Sequence, residues 1–456
     1  MAVLRVAGAQ DTWWEALPEQ ARQLPVELAQ IDAYLDDERF IAPWRELFAD
    51  RLGRPSVPVE TLLRMLLLKH RYQLGYETLC REVADSLSWR RFCRIPLTSP
   101  VPHPTTLIKL MRRGGAQTVE QLNTALLGKL VEDKLVRCRK LRIDTTVIEA
   151  DIDHPTDADL LEHGVRKLGR LVRRIQAAGA ARRTRFRDRS RSAGRRLKAI
   201  SRTLRRRTGQ ALGEIDRLTG EIAIVARATL RDVAAVERSA RRALGKQPSG
   251  RLTHLVGELA ETVAGTRRLL EQTALRLAGI RTIPDRLVSL ADPDARPIRK
   301  GKPQHPTQFG YTALVAEDER GFVVDHQVHR GNPPDAPQLV PSVERVTTLT
   351  GRPPGTVVAD RGFGTAANDR ALAELGVQRI GLQRKGTPGK ARREHEHTRP
   401  FRRMRNRRVG IEARISHLKR SFGFRRTRLR RLAGAQTWTG LGIFAYNLHR
   451  MTVSSP

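Results

Sequence analysis

Cysteine is scarce. Cys80, Cys93 and Cys138 are the only three in 456 residues, widely spaced and without a CxxC pair. That excludes a disulfide framework and a zinc finger, and predicts small buried thiols in a reduced, cytosolic protein. No stretch approaches the roughly 18 apolar residues of a spanning helix. The opening MAVLRVAGAQDTWWEALPEQ lacks the long apolar core of a secretory signal. Acid is in short supply too: 48 Asp+Glu stand against 84 Lys+Arg, a formal net charge of +36. That excess points to a polyanionic partner, nucleic acid before an anionic membrane. The basic stretches carry no aromatic-rich apolar face, which argues against a membrane-surface protein. The length predicts about two to four domains, and a hydrophobic share of 39% is enough for a real core.

Residues 1–130 read as a helical domain for DNA binding or dimerisation. After Pro58, Leu62, Leu63, Leu66 and Leu67 recur at helical spacing; Leu79, Val83, Leu87 and Phe92 do so next. In PLTSPVPHPTTLIKLMRRGG, Thr105 or Thr106 is placed to cap a short helix carrying Lys109, Arg112 and Arg113. A compact helical unit followed by a basic helix fits a helix-turn-helix, with those three cations on DNA. A plain helical bundle docked on its neighbour fits equally well.

Residues 134–153, KLVRCRKLRIDTTVIEADID, change period. Leu141, Ile143 and Val147 alternate with Arg142, Asp144, Thr146 and Ile148, so a carboxylate falls in mid-strand. From 156 to 285 helical spacing returns, in Leu161, Val165, Leu168 and Val172, and later in Leu252, Val256, Leu259 and Val263. Long helices packed as an antiparallel arm are predicted. Between Arg166 and Arg207 this arm has 18 Lys/Arg and one acid, Asp188. So one-sided a face repels itself, and a phosphate backbone suits it better than solvent alone.

Past 300, two alternating strands flank an Asp/Glu/Arg/Gly turn at 317–321, a predicted hairpin. Residues 334–350 suit a helix, GTVVAD (355–360) a buried strand ending in an acid, 365–375 a helix and 377–385 a strand. Residues 406–423 suit a basic helix, and 437–451 an apolar helix that covers the sheet. With the arm removed, the order is strand, hairpin, helix, strand, helix, strand, helix. That is the order of the ribonuclease-H-like fold, whose first and fourth strands are parallel neighbours. The expected class is α/β, a ribonuclease-H-like mixed sheet flanked by helices and built from 131–155 and 286–456. A helical domain (1–130) precedes it and a basic helical insertion (156–285) interrupts it.

In that topology Asp144, on the first strand, faces Asp360, at the end of the fourth, across neighbours about 4.7–4.9 Å apart. Two bare carboxylates at that range repel, and burial adds to the cost. A divalent cation answers both problems, and Mg²⁺ favours a few carboxylates plus a substrate phosphate. Glu412, on the basic helix, supplies a third ligand. Two ions about 3.5–4 Å apart can activate a nucleophile and stabilise the leaving oxygen of a phosphodiester. Arg408, four residues before Glu412, and Lys419, seven after it, share its helix face. Such cations suit the phosphates that adjoin a metal-binding acid.

At these residues the sequence resembles a known family. Asp144 in LRIDTTVIEADIDHPTDADLL, Asp360 in VVADRGF and Glu412 in RRVGIEARISHLKRSFG are similar to the DDE triad of bacterial insertion-sequence transposases. Arg408, Glu412 and Lys419 match the R-x3-E-x6-K signature of the cut-and-paste branch. That signature opens with Tyr three residues before the Arg, where this chain has Arg405. The stretch 51–115 also looks like the helical domain of such enzymes. The likeness covers about 45–155 and 300–450, and assigns no role to the arm. It implies hydrolysis at the element's inverted-repeat ends, then attack by a DNA 3′-hydroxyl on target DNA. It further implies two Mg²⁺ ions per site, with Mn²⁺ as a substitute, and a homo-oligomer, at least a dimer, on double-stranded DNA. The place of work is then the cytoplasm, at the nucleoid, with no membrane partner. Besides Arg408 and Lys419, Arg405, Arg425 and Arg426 are candidate phosphate contacts. A catalytically silent, repurposed DNA-binding protein is the second reading, which the charge fits as well.

Other residues have plainer readings. Asp151, Asp153, Asp157 and Asp159 suit turns and helix caps better than metal. Asp325 rivals Asp360 but falls in the hairpin. His326 and His329, with His305 nearby and no cysteine partner, read as polar strand faces. Trp13, Trp14, Trp44 and Trp89 suit a core or interface, and Trp438 a core or a base-stacking position. The basic run 425–431 suits a phosphate backbone.

Overall fold

The period-two alternation around Asp144 forms a strand. Strand β1 (Lys140–Glu149) buries Leu141, Ile143 and Val147 on one face and Thr146 and Ile148 on the other, because helices cover both sides. The other strands are β2 (Arg296–Ile298), β3 (Gln308–Glu317), β4 (Val323–Arg330), β5 (Thr356–Ala359) and β6 (Arg379–Leu382). β1 lies between β3 and β5, β6 lies beyond β5, and β4 pairs with β3. The β1–β5 and β5–β6 pairs are parallel and β3–β4 is antiparallel. The result is a mixed sheet flanked by helices.

These features belong to a computed structural model, which describes residues 4, 14–49, 53, 55–205, 209–246, 248–299 and 306–454. Trp13, His305 and Arg207 lie outside the described residues. Two compact units are present: Met1–Asp151 with Tyr311–Pro456, and Ile152–Gly310.

In the first unit the expected hairpin forms. Its turn is held by Asp318, whose Oδ1 accepts from the Arg320 amide at 3.0 Å and the Phe322 amide at 2.9 Å. Gly321 sits at φ +86°, where a side chain would be strained. The apolar helix runs Arg431–Ser454 and packs on β4 and the N-terminal helices. Asn447 clamps it to the hairpin: its Oδ1 accepts from the Val323 amide (3.0 Å) and its Nδ2 donates to the Val323 carbonyl (2.8 Å). One apolar core joins Leu62, Leu66 and Trp44 of the N-terminal helices to Leu141, Ile143, Val357 and Phe444. The N-terminal helices and the sheet therefore form a single unit rather than two bodies.

Three local expectations change. The run at 76–92 splits into Tyr76–Asp85 and Leu87–Phe92, because Ser86 is extended and its hydroxyl accepts from the Trp89 amide. That turns Leu87 outward, to 42% exposure. The cap before the basic residues is His103, not Thr105 or Thr106; its Nδ1 accepts from the Thr105 amide (3.3 Å) and Pro104 opens the helix. That helix is long, Pro104–Glu132, with a kink at Gly115 (φ 64°). The basic helix expected over 406–423 is two, Arg399–Arg407 and Val409–Ser421, joined through Arg408 in a helical conformation (φ −56°, ψ −33°).

The second unit is built on four helices, Asp157–Ala177, Ser190–Leu204, Gly209–Lys246 and Gly250–Leu277. Leu161, Leu168, Val172, Ile222, Val233 and Leu259 share its own core. It extends past 285 because Leu287 joins that core and the Arg286 guanidinium reaches the buried Asp157 carboxylate at 2.9 Å. β2 then pairs with Gln308–Gly310, the start of β3. The crowd of cations is partly answered from elsewhere in the chain: Lys167 meets Glu258 at 3.3 Å, Arg189 meets Asp232 at 2.6 Å and Arg196 meets Glu221 at 2.7 Å.

Candidate active site

The site begins where the parallel pairing of β1 with β5 runs out, in mid-β1 and at the C-terminal end of β5. Lys140 lies opposite Thr356 and Ile143 opposite Ala359. One step further along each strand come Asp144 and Asp360, so register alone makes them neighbours. β5 stops at Asp360 because its side chain turns back to accept from the Gly362 amide, opening a short 3-10 turn. Gly364 follows so closely on the Gln383 carbonyl that no side chain fits there.

Glu412 arrives from the other direction. Its helix, Val409–Ser421, buries Ile411, Ile415 and Leu418 and packs on β1. An ion-pair relay ties it down: the buried Glu317 on β3 meets Arg142 of β1 at 3.0 Å and Arg414 of the helix at 2.9 Å. Arg408, one turn before Glu412, reaches it at 2.9 Å and stands 3.8 Å from Asp144. One guanidinium therefore links two of the three acids. Asp144 is well covered, with 14% of its side chain exposed, whereas Glu412 has 53%. Arg408, a candidate phosphate contact, stands between two of the acids.

A fourth acid, Asp335, escaped the sequence reading. Its Oδ1 accepts from the Thr145 hydroxyl at 3.0 Å, next to Asp144. A Cβ built on Gly362 would lie 2.8 Å from Asp335 Oδ2 and 3.5 Å from Asp360 Oδ1, so Asp335 also abuts the Asp360 turn. In NPPDAPQ it looks like a residue that opens a helix, and only the tertiary fold brings it here. Among the described residues, no three His, Cys, Asp or Glu side chains come close enough together to hold a metal ion by themselves.

The candidate phosphate contacts are scattered around this centre. Lys419 is half-buried in the last turn of the Glu412 helix, and Arg405 is exposed on the preceding one. Arg425 and Arg426 are exposed beside the end of β1, where the Glu149 amide donates to the Arg425 carbonyl at 3.1 Å. Arg426 stands 3.6 Å from both Glu149 and Asp151. Lys109, Arg112 and Arg113 are exposed on the first half of the kinked helix, Arg113 lying over the Phe48 ring at 5.4 Å.

The rival residues have structural partners. Asp325 is gripped by Arg345 (2.8 Å) and the Ser342 hydroxyl (2.6 Å). Burial holds the neighbouring His326 and His329 below the usual imidazole range. Asp157 is buried against Arg276 at 2.8 Å as well as Arg286, and Asp159 accepts the Thr156 hydroxyl. Trp14 and Trp44 are buried, and Trp89 packs on Tyr72. Trp438 donates to the Gly423 carbonyl at 2.8 Å and packs on His70 and Lys69, so it is built into the fold. No helix among the described residues is long and apolar enough to cross a membrane.

Two protein families match the chain. Residues 16–113 match the Transposase domain (DUF772), and residues 281–448 match the Transposase DDE domain. Together the matched segments cover more than half of the chain. No curated protein and no solved structure matches it.

Proposed function

The chain belongs to the insertion-sequence DDE transposases, and from that premise we propose that Asp144, Asp360 and Glu412 are its catalytic carboxylates. The family's work is on DNA. In this reading the enzyme cuts phosphodiester bonds at the ends of its element and joins those ends to target DNA. The observation that supports the reading is a chain of neighbours: the β1–β5 register puts Asp144 next to Asp360, and Arg408 lies within ion-pair distance of both Asp144 and Glu412. A strand order with β1 and β5 parallel at its centre supports a ribonuclease-H-like sheet.

The donor set suits divalent Mg²⁺, with Mn²⁺ as a substitute, because it is all carboxylate oxygen with no thiolate or imidazole. Asp144, Asp360 and Glu412 would hold the ions. When bound, a pair of such ions activates the attacking oxygen and stabilises the leaving one. The chain's own groups do the rest. Arg408 stands in for positive charge between the acids and turns to a phosphate oxygen when DNA arrives. Lys419, Arg405, Arg425 and Arg426 hold the adjoining phosphates and fix the scissile bond in register with the acids. Thr145 and Asp335 hold the backbone next to Asp144. Lys109, Arg112 and Arg113 add contacts on the N-terminal helices. Because two ends are cut and joined together, the working form is at least a dimer on DNA, and it works at the nucleoid.

The test is cleavage of duplex DNA carrying the element's ends, with and without Mg²⁺. Wild type cuts only with the ion, and Asp360→Asn and Glu412→Gln do not cut. Cleavage by either variant at the wild-type rate refutes the site. The second reading, DNA binding without chemistry, draws on the lack, among the described residues, of any three acids already gathered for a metal. Metal-independent binding with no cleavage of any end sequence would favour it.

A further inference from the structure

The helix Ser190–Leu204 and its C-cap, Arg205, carry a row of cations that the catalytic reading does not use. Arg191, Arg195, Lys198, Arg202 and Arg205 follow one another at steps of four, three, four and three residues, and all five are exposed. At about 100° per residue they fall within an arc of about 80°. The opposite face buries Ala193, Ile200 and Thr203 in the bundle. None of the five pairs with a carboxylate among the described residues, although Arg189 and Arg196, off the row, find Asp232 and Glu221. The bundle thus supplies acids to the flanks and none to the row. Neighbouring like charges at this spacing oppose the helix. The first turn has no acid to offset them.

We infer that this row docks along the sugar-phosphate backbone of duplex DNA, without reading sequence. The inference rests on the transposase reading for its partner, but uses a surface outside the catalytic centre. The row's five charges extend over about 21 Å, at 1.5 Å of rise per residue. One DNA strand offers a phosphate every 3.4 Å or so of axis, about six over that length. Number and reach therefore match. An anionic membrane would favour apolar residues beside the cations, whereas this face presents Arg and Lys flanked by Ser201.

The experiment uses the full chain and a duplex of about 30 base pairs without element ends, titrated from low to high salt. Replacing all five cations by glutamine should make the slope of log K on log salt shallower by up to about 4.5, at about 0.9 per lost contact. A second variant, with lysine at the four arginine positions, keeps the charge and should keep the slope. Arg217→Gln with Arg241→Gln, on bundle cations already paired with Glu214 and Glu237, should leave it unchanged. A glutamine variant with the wild-type slope overturns the inference. So does a lysine variant that loses as much as the glutamine one, or a larger loss on RNA or anionic vesicles than on duplex DNA. A wild-type chain that binds no DNA at all overturns the transposase reading as well. Cleavage retained alongside an unchanged slope overturns the row alone.

Discussion

Where the pairing of β1 with β5 runs out, one arginine stands among carboxylates: Arg408 links Asp144 to Glu412, and Asp335 abuts the Asp360 turn. In the helical bundle the proportions reverse. Acids on two long helices reach across to Arg189, Arg196 and Lys167, and the row from Arg191 to Arg205 stays without a carboxylate partner among the described residues. In a chain of net charge +36, acids are the limiting component. On the proposed reading, acids that stand near one another, as Asp144 and Asp360 do, would bind a cation from outside. Where cations gather without them, the surface is set up for a polyanion. On the proposed reading the two regions divide the handling of DNA between them.

The comparison is broken most readily at the acids. Asp144→Asn, Asp360→Asn or Glu412→Gln should each lower end cleavage by at least about 10²–10³-fold, on the scale of removing one preorganised group from a transition state. DNA affinity should hold, since none of the three carries positive charge. A filter-binding titration beside the cleavage assay checks both. Equal losses in binding and cleavage would mean that the acids shape the fold rather than the chemistry.

The next effect is on the bundle. Leu259 is fully buried in its core, and Leu259→Ala should cost about 2–5 kcal/mol. Hydrogen exchange should quicken in the four helices and not in β1 and β5, whose core is separate. Equal acceleration in both would merge regions that are contrasted here.

Much of this contrast was legible in the chain. The alternation around Asp144, the apolar run before Asp360 and the basic helix with Glu412 each have a local signature, and local signatures survive into the fold. Three features were not legible, each because it depends on contacts far apart in sequence. Asp335 reads as a helix-opening residue and gains its place only when it meets Thr145 and Gly362. The basic window looked unanswered because its acids, Glu221, Asp232 and Glu258, lie on later helices. The bundle's extension past 285 rests on Leu287 and Arg286, which carry no periodic signal of their own.

Asp335 gives a smaller and sharper test. Asp335→Ala frees the Thr145 hydroxyl and loosens both turns, and cleavage should fall about 10–100-fold, the range for residues that orient metal ligands. The Mg²⁺ concentration giving half-maximal cleavage should rise too, which a loss of fold alone would not produce. An unchanged metal requirement would leave Asp335 with no positioning role.

The smallest effect is a pH dependence in the hairpin. Burial pushes the Asp318 carboxyl up to about 6, against an ordinary 3.8, while the Arg320 and Phe322 amides pull the other way. The folded chain therefore holds this proton more tightly than the unfolded one. The resulting stability is fully present below about pH 3.8 and is lost as pH rises through about 6. Asp318→Asn removes the titration, so its stability relative to wild type should climb between those two values. Urea titrations at several pH values measure the difference; a flat one contradicts the burial argument.

The central claim is tested most directly by Mn²⁺ binding, followed by electron paramagnetic resonance on the full chain with element-end DNA. Wild type should take up a pair of ions per active site, and Asp144→Asn, Asp360→Asn and Glu412→Gln should each weaken or lose that uptake with DNA still bound. Identical Mn²⁺ binding by wild type and all three variants would contradict the account.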